Sequence, residues 1–211
     1  MDPLGPHGPH DAAPGFDLAA ARTAAVVLAG GTAARMDGVD KASVEYAGRT
    51  LLEHALEALV DVDEVVVVGA AVPTTRPVTF TREDPPLGGP VAGLLAGRDA
   101  LARRPDLLVV LAVDMPRVSA WTVRRLREAA AGRDGAFLHE AGEDGGLGRR
   151  QLCGVLASAA LDRAAPPLEE RHGLPLHRLL APLDLGAVVA TGDEARDVDS
   201  WADLRDLLDG S

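Results

Sequence analysis

Short, fully apolar runs separated by helix-length stretches constrain this chain more than any other feature. Ala24 to Ala29 reads A-A-V-V-L-A, Glu64 to Gly69 reads E-V-V-V-V-G, and Leu107 to Val113 reads L-L-V-V-L-A-V. A strand that is apolar on both faces must be covered on both faces, which is the situation of a parallel strand between two helical layers. The intervening stretches supply those layers. Leu51 to Val60 sets Leu52, Ala55, Leu56 and Leu59 on one side, and Thr50 with Glu53 can form its capping box. Pro90 can open a helix running to about Arg103, with Leu94, Leu95 and Leu101 inward. Ser119 to Ala131 carries the stripe Val123, Leu126 and Ala130.

The second half continues the pattern less regularly. Gly135 to His139 and Gln151 to Leu156 read as strands around a Gly-rich loop, Gly142 to Gly148. Short helices are expected near Ser158 to Ala164 and Leu174 to Leu180, and a strand at Ala187 to Ala190. A final helix follows Asp197-Val198-Asp199; Ser200 and Asp203 can cap it, and Trp201, Leu204, Leu207 and Leu208 can dock it. This strand-helix alternation predicts a three-layer α/β domain with a mainly parallel central sheet. Residues 1–22, dense in Pro and Gly, read as a disordered leader, and 23–211 as a single domain. Aromatic residues make up only 3% of the chain, so the core must be built from Ala, Val and Leu.

The formal net charge of −11 excludes a general basic footprint for nucleic acid. An acidic protein that binds phosphate must do so with local cations, a metal or backbone amides, because its overall field repels anions. Cys153 is the one cysteine, so no disulfide can form within the chain; a reducing compartment fits, and Cys153 reads as a small buried hydrophobe. No apolar run approaches the roughly 20 residues of a membrane helix, and no secretory signal is seen at the start. A cytoplasmic protein, monomeric or weakly oligomeric, with neither nucleic-acid nor membrane partner, is the expectation. His139, His172 and His177 share no metal-ligand spacing and read as surface residues, and His7 with His10 belongs to the leader.

Three polar motifs fall at the ends of the predicted strands, where open α/β sheets bind ligands. Leu28-Ala29-Gly30-Gly31-Thr32-Ala33-Ala34-Arg35-Met36 follows the first strand, with Asp40-Lys41 close behind. Paired glycines let backbone N–H groups approach a phosphate chain without a Cβ clash. Arg35 and Lys41 supply positive charge, the first as a fork and the second as a movable point charge. Glycines alone equally suit a plain turn. The loop lacks the Gly-Lys-Ser/Thr of a Walker A motif and the G-x-G-x-x-G of a dinucleotide fingerprint. Asp114-Met115-Pro116 ends the Leu107 to Val113 strand. Asp114 is placed either to hold Mg²⁺, an ion that takes oxygen ligands, or simply to start a turn before Pro. Asp84-Pro85-Pro86-Leu87-Gly88-Gly89-Pro90 permits close backbone approach at a helix start, or is a loop of no special role. Asp199 can be a second metal ligand or a solvated cap.

Together these segments resemble the molybdenum cofactor guanylyltransferase-like NTP transferases, whose signature is L-A-G-G-x-x-x-R-M-x-x-x-D-K. Gly30, Gly31, Arg35, Met36, Asp40 and Lys41 match it, and the likeness continues into Gly48, Leu51 and His54. It covers residues 24 to 209, most strongly the first hundred. Asp37 departs from the Gly usual there. The resemblance implies a Rossmann-like nucleotidyltransferase fold, with Leu28, Ala29, Gly30, Gly31, Lys41, Asp84, Gly88 and Gly89 on the nucleotide. It implies Arg35, Lys41 and Asp114 as catalytic residues and Asp114 as a ligand of Mg²⁺, and it gives Asp199 as a candidate second ligand. The segment around Gly88 and Gly89, with L-A-G-G, favours GTP over CTP. Arg149, Arg150 and Gln151 resemble the acceptor-side strand. The implied reaction moves GMP from GTP to the phosphate of molybdenum-bearing molybdopterin, releasing pyrophosphate. A cytidylyltransferase or sugar-phosphate nucleotidyltransferase on the same scaffold is the alternative, and a non-catalytic nucleotide-binding protein is the alternative of another class.

Overall fold

The computed structural model describes residues 20–30, 39–142 and 144–209. Residues 1–19 of the expected leader, with His7 and His10, lie outside the described residues, as do Gly31, Arg35, Met36 and Asp37.

The first element of the described residues is β1 (Thr23–Leu28), followed by a short 3₁₀ turn at Lys41–Ser43 and a small hairpin of β2 (Glu45–Tyr46) and β3 (Arg49–Thr50). Helix α1 (Leu51–Ala58), strands β4 (Glu64–Val68) and β5 (Thr79–Thr81), and helix α2 (Gly89–Asp99) lead to β6 (Leu107–Ala112) and α3 (Ala120–Ala129). The remainder is β7 (Gly135–Ala141), β8 (Leu147–Ala157), α4 (Ser158–Ala164), a second 3₁₀ turn at Leu168–Glu170, α5 (Leu176–Leu180), β9 (Leu185–Val189) and α6 (Trp201–Asp209). The described residues form a seven-stranded sheet in the order β5-β4-β1-β6-β8-β7-β9. Only β8 runs against its neighbours, β6 and β7, so the sheet is mainly parallel, as the apolar runs require.

The sequence rule behind this sheet is visible in its two cores. Alternate residues of β1 and β6 point to opposite faces. Ala25, Val27, Val109 and Leu111 meet α1, α3 and α6 on one face, through Leu52, Leu56, Leu126 and Leu207. Ala24, Val26, Leu108 and Val110 meet α2, α4 and α5 on the other, through Leu94, Leu95, Leu161 and Leu179. Such an Ala/Val sheet surface lets helices lie close. A Cβ added to Gly97 of α2 would lie 2.5 Å from Val26 Cγ1 and 2.9 Å from Val68 Cγ2, so this contact has no room for a side chain.

Caps set the helix starts. The Thr50 hydroxyl accepts from Glu53 N while Glu53 returns a bond to Thr50 N, the expected box. Ser119 and Thr122 make the same arrangement for α3. Several expectations change in detail. The α2 helix ends at Asp99 rather than near Arg103, and Gly142 to Gly148 is shorter as a loop, because β8 already begins at Leu147. Leu204 and Leu207 dock α6, but Trp201 and Leu208 are 41% and 46% exposed. A helix of nine residues resting on one side of the sheet buries one stripe only.

Candidate nucleotide and metal site

The chain runs from β1 outward to β4 and β5, then crosses back through α2 to β6 on the other side of β1. The carboxyl ends of β1 and β6 are therefore a topological switch point, where the connections diverge and leave a crevice. Leu28 pairs with Ala112 there, and Val113 N donates to Leu28 O at 3.0 Å. Asp114 is the next residue and stands at the mouth of that crevice.

Three segments converge on Asp114. Asp40 Oδ1 accepts from Ala42 N at 3.0 Å, and Ala42 is fully buried, which anchors the 3₁₀ turn that begins at Lys41. From this anchor Lys41 Nζ donates to Asp114 Oδ2 at 2.8 Å and to Asp199 Oδ1 at 2.7 Å. The third segment, between β9 and α6, is tied to the first acid by its backbone: Val198 N donates to Asp114 O at 2.8 Å. Lys41 and Asp114 are mostly shielded from solvent, and Asp199 is half exposed.

The electrostatics follow from this crowding of acids. Burial pushes the Asp114 carboxyl above its ordinary value; Lys41 opposes the shift, and the charges of Asp199 and Asp197 add to it. For Lys41, burial alone would lower the ammonium. Its hydrogen bonds to and attraction by Asp114 and Asp199 outweigh burial, and the net shift is upward. One ammonium is thus shared by two carboxylates, with a third, Asp197, nearby and paired to Arg149 at 3.2 Å.

The donor chemistry suits a hard divalent cation. The two carboxylates already reach a single cationic atom, the Lys41 ammonium nitrogen, and both offer oxygen. Among the described residues no group of three or more His, Cys, Asp or Glu side chains is placed to hold a metal. A site of two carboxylates completed by phosphates and water is the usual pattern for Mg²⁺.

Beside Asp114 lies a cavity of about 560 Å³, lined by Leu28, Gly30, Val68, Glu83, Leu87, Gly89, Pro90, Gly93, Ala112 and Leu152. The structure brings Leu28, Gly30, Gly89 and Asp114, all singled out in the sequence, around one space. Gly88 is next to it but its N–H is taken by Glu83 Oε1 at 3.1 Å. Ala29 is buried, with its N–H bonded to Val68 O. Asp84 is exposed and lines a second cleft of about 400 Å³ with Glu83, Arg171 and His172, not the cavity beside Asp114. Glu83 also lines the cavity, together with Asp114, and no motif in the sequence points to it. Glu83 lies just past the carboxyl end of β5, a strand of three residues too short to leave a periodic trace in the sequence. A larger groove of about 940 Å³, between α1 and the 116–121 turn, contains none of the predicted site residues.

The residues expected on the acceptor side split by strand alternation. Gln151 Nε2 and Arg149 Nε both donate to Glu140 Oε1, at 2.6 and 3.0 Å. Arg150 points to the opposite face, its guanidinium 5.7 Å from the Phe137 ring centroid. Cys153 is fully buried and its thiol is pushed up to about 12, chiefly by burial, so it stays protonated and inert. His172 and His177 are exposed, as expected, while His139 is half buried with Nδ1 3.2 Å from Gly148 O.

A mainly parallel α/β sheet with an acid pair and a lysine at its switch point defines the class of domain that takes ligands at its strand ends. The chain belongs to the family described as the MobA-like NTP transferase domain, which it matches over residues 25–195. It is 38% identical over 129 residues to a probable molybdenum cofactor guanylyltransferase from Methanosarcina acetivorans, across 54% of this chain and 55% of that protein. The chain thus spans about half the length of the curated relatives it matches. A nucleotidyl transferase from Methanothermobacter thermautotroptrophicus superposes with a TM-score of 0.70 at 25% identity, covering 90% of this chain and 97% of the other. The molybdopterin-guanine dinucleotide biosynthesis protein A from Archaeoglobus fulgidus has the same fold, with a TM-score of 0.65 at 20% identity over 89% of this chain and all of the other. Among the described residues no helix is long and apolar enough to cross a membrane.

Proposed function

We propose that this chain is a Mg²⁺-dependent nucleotidyltransferase that moves GMP from GTP to the phosphate of molybdenum-bearing molybdopterin. The observation that carries the proposal is the meeting of Lys41, Asp114 and Asp199 at the β1/β6 switch point, beside a cavity lined by Gly30 and Gly89. The names of the curated relatives support guanine as the base and molybdopterin as the acceptor.

Asp114 and Asp199 would hold the metal. A divalent cation bound there supplies charge neutralisation on phosphate oxygens as pyrophosphate departs. Lys41 adds a positive point charge on the same side, and Arg35 is assigned to the phosphates with it. The backbone at Gly30 and Gly89 allows the nucleotide to approach without side-chain obstruction. The acceptor phosphate is already anionic near neutral pH, so direct displacement at the α-phosphorus requires alignment and charge compensation rather than a strong general base. Arg149, Arg150 and Gln151 are assigned to the acceptor side, with Arg150 free of the Glu140 contacts that occupy the other two. The setting is the cytoplasm, with GTP and the phosphorylated pterin as partners.

The test is pyrophosphate release from each of GTP, CTP, ATP and UTP in the presence of molybdopterin and Mg²⁺. Release with GTP alone supports the assignment. Release with CTP moves the chain to cytidylyl transfer, and nucleotide binding without release for any acceptor removes the enzymatic reading.

A further inference from the structure

The carboxylate of Glu194 is buried, although Glu194 lies on the segment between β9 and α6 and touches neither the cavity nor Lys41. Thr122 Oγ1 of α3 donates to Glu194 Oε1 at 2.7 Å. Arg125 NH2, one helical turn further along α3, donates to Glu194 Oε2 at 3.1 Å, and Thr191 N donates to the same oxygen at 2.8 Å. The Arg125 guanidinium also reaches Thr191 Oγ1 at 2.9 Å and Val189 O at 3.0 Å. One arginine therefore binds the end of β9 and both ends of the Thr191–Glu194 turn.

This density of bonds would be unremarkable in a turn that led nowhere. Here the chain leaves Glu194, buries Ala195 and Val198 against the sheet, and delivers Asp197 and Asp199 to the site. The stretch from Glu194 to Asp199 is tied to α3 through Glu194 and, through Val198 N, to Asp114 O just past the end of β6, while the Asp197 and Asp199 side chains are held by Arg149 and Lys41.

We infer that Arg125 and Glu194 are positioning residues that hold Asp199 at the spacing from Asp114 that one small divalent cation needs. The inference rests on the reading of Asp114 and Asp199 as the metal-holding pair. Mg²⁺ demands near-ideal octahedral geometry at short distances, whereas Ca²⁺ accepts longer and more variable ones. A loosened Asp199 therefore weakens Mg²⁺ more than Ca²⁺, a selectivity change that a purely structural role would not produce.

The experiment measures Mn²⁺ binding to the full chain by electron paramagnetic resonance, with Mg²⁺ and Ca²⁺ as competitors, for wild type, Arg125→Met, Arg125→Lys, Glu194→Gln and Asp199→Asn. Arg125→Met and Glu194→Gln are expected to weaken Mn²⁺ and Mg²⁺ by about 10- to 100-fold, the scale for residues that orient metal ligands, with a smaller loss for Ca²⁺. Arg125→Lys is expected to recover part of the loss, and circular dichroism to stay that of wild type. Folded Arg125→Met and Glu194→Gln proteins with wild-type metal affinity overturn the inference, and so does a loss equal for Mg²⁺ and Ca²⁺. Loss of fold in both variants also overturns it, because the pair is then a folding requirement. Asp199→Asn separates the two readings: if it too leaves Mn²⁺ binding unchanged, the metal-holding pair itself is wrong.

Discussion

Lys41 Nζ lies 2.8 Å from Asp114 Oδ2, although the two residues are 73 positions apart in the sequence. The bond joins the turn after β1 to the end of β6, the two strands that flank the switch point. Since Asp199 shares the same ammonium, Lys41 bridges the two carboxylates that are proposed to hold the metal.

The proposed function gives Lys41 two separable roles, and Lys41→Met tells them apart. Removing the ammonium frees both carboxylates, so Mn²⁺ affinity is expected to hold or rise. Turnover is expected to fall by at least about 100-fold, the scale of deleting one electrostatic stabiliser. Titration of Mn²⁺ and the rate of pyrophosphate release check the two halves; weakened metal binding with an intact rate would reverse the assignment.

The pH dependence of stability has a definite sign at Asp114. Its folded-state carboxyl is raised above 3.8, first by burial, with Asp199 and Asp197 adding and Lys41 opposing. A raised pKa gives a contribution to stability that is full below the unfolded value and is lost as pH rises through the folded one. Asp114→Asn removes that loss. In the metal-free protein, its stability relative to wild type is expected to improve as pH climbs from below 3.8 toward neutrality, measured by urea denaturation at each pH.

Helix α2 has no spare room against the sheet. Gly97→Ala places a methyl 2.5 Å from Val26 Cγ1 and 2.9 Å from Val68 Cγ2, an overpacking expected to cost about 1–3 kcal/mol. Thermal denaturation should show the loss. Adding Val26→Ala should return part of it, because residues in contact do not act additively.

Cys153 offers a chemical check on the core. With its thiol fully buried and raised to about 12, it should resist thiol reagents in the native protein and react once the protein is unfolded. Labelling at native rates equal to the unfolded chain would contradict the packing of β8 against β6.

The sequence made the central sheet legible because its strands are apolar on both faces, and Leu107 to Val113 can be little else. The 3₁₀ turn, the β2–β3 hairpin and β5 were not legible, since two or three residues with mixed polarity leave no periodic trace. The hairpin did carry local turn chemistry in Ala47-Gly48, both at positive φ. The site was half legible. Asp114 and Lys41 stood out by motif, but the meeting of Asp199 with them depends on the Glu194 anchor and on Val198 N bonding Asp114 O. Those contacts are long-range and have no sequence spacing. Glu83 was hidden behind its neighbour Asp84 for the same reason: which of two adjacent acids faces the cavity depends on the pairing of β5.

The most direct test of the account is pyrophosphate release by Asp114→Asn, assayed with GTP, molybdopterin and Mg²⁺ alongside wild type and a circular dichroism spectrum. A folded protein whose rate is lower by at least about 100-fold is expected. A folded variant that turns over at the wild-type rate would contradict it.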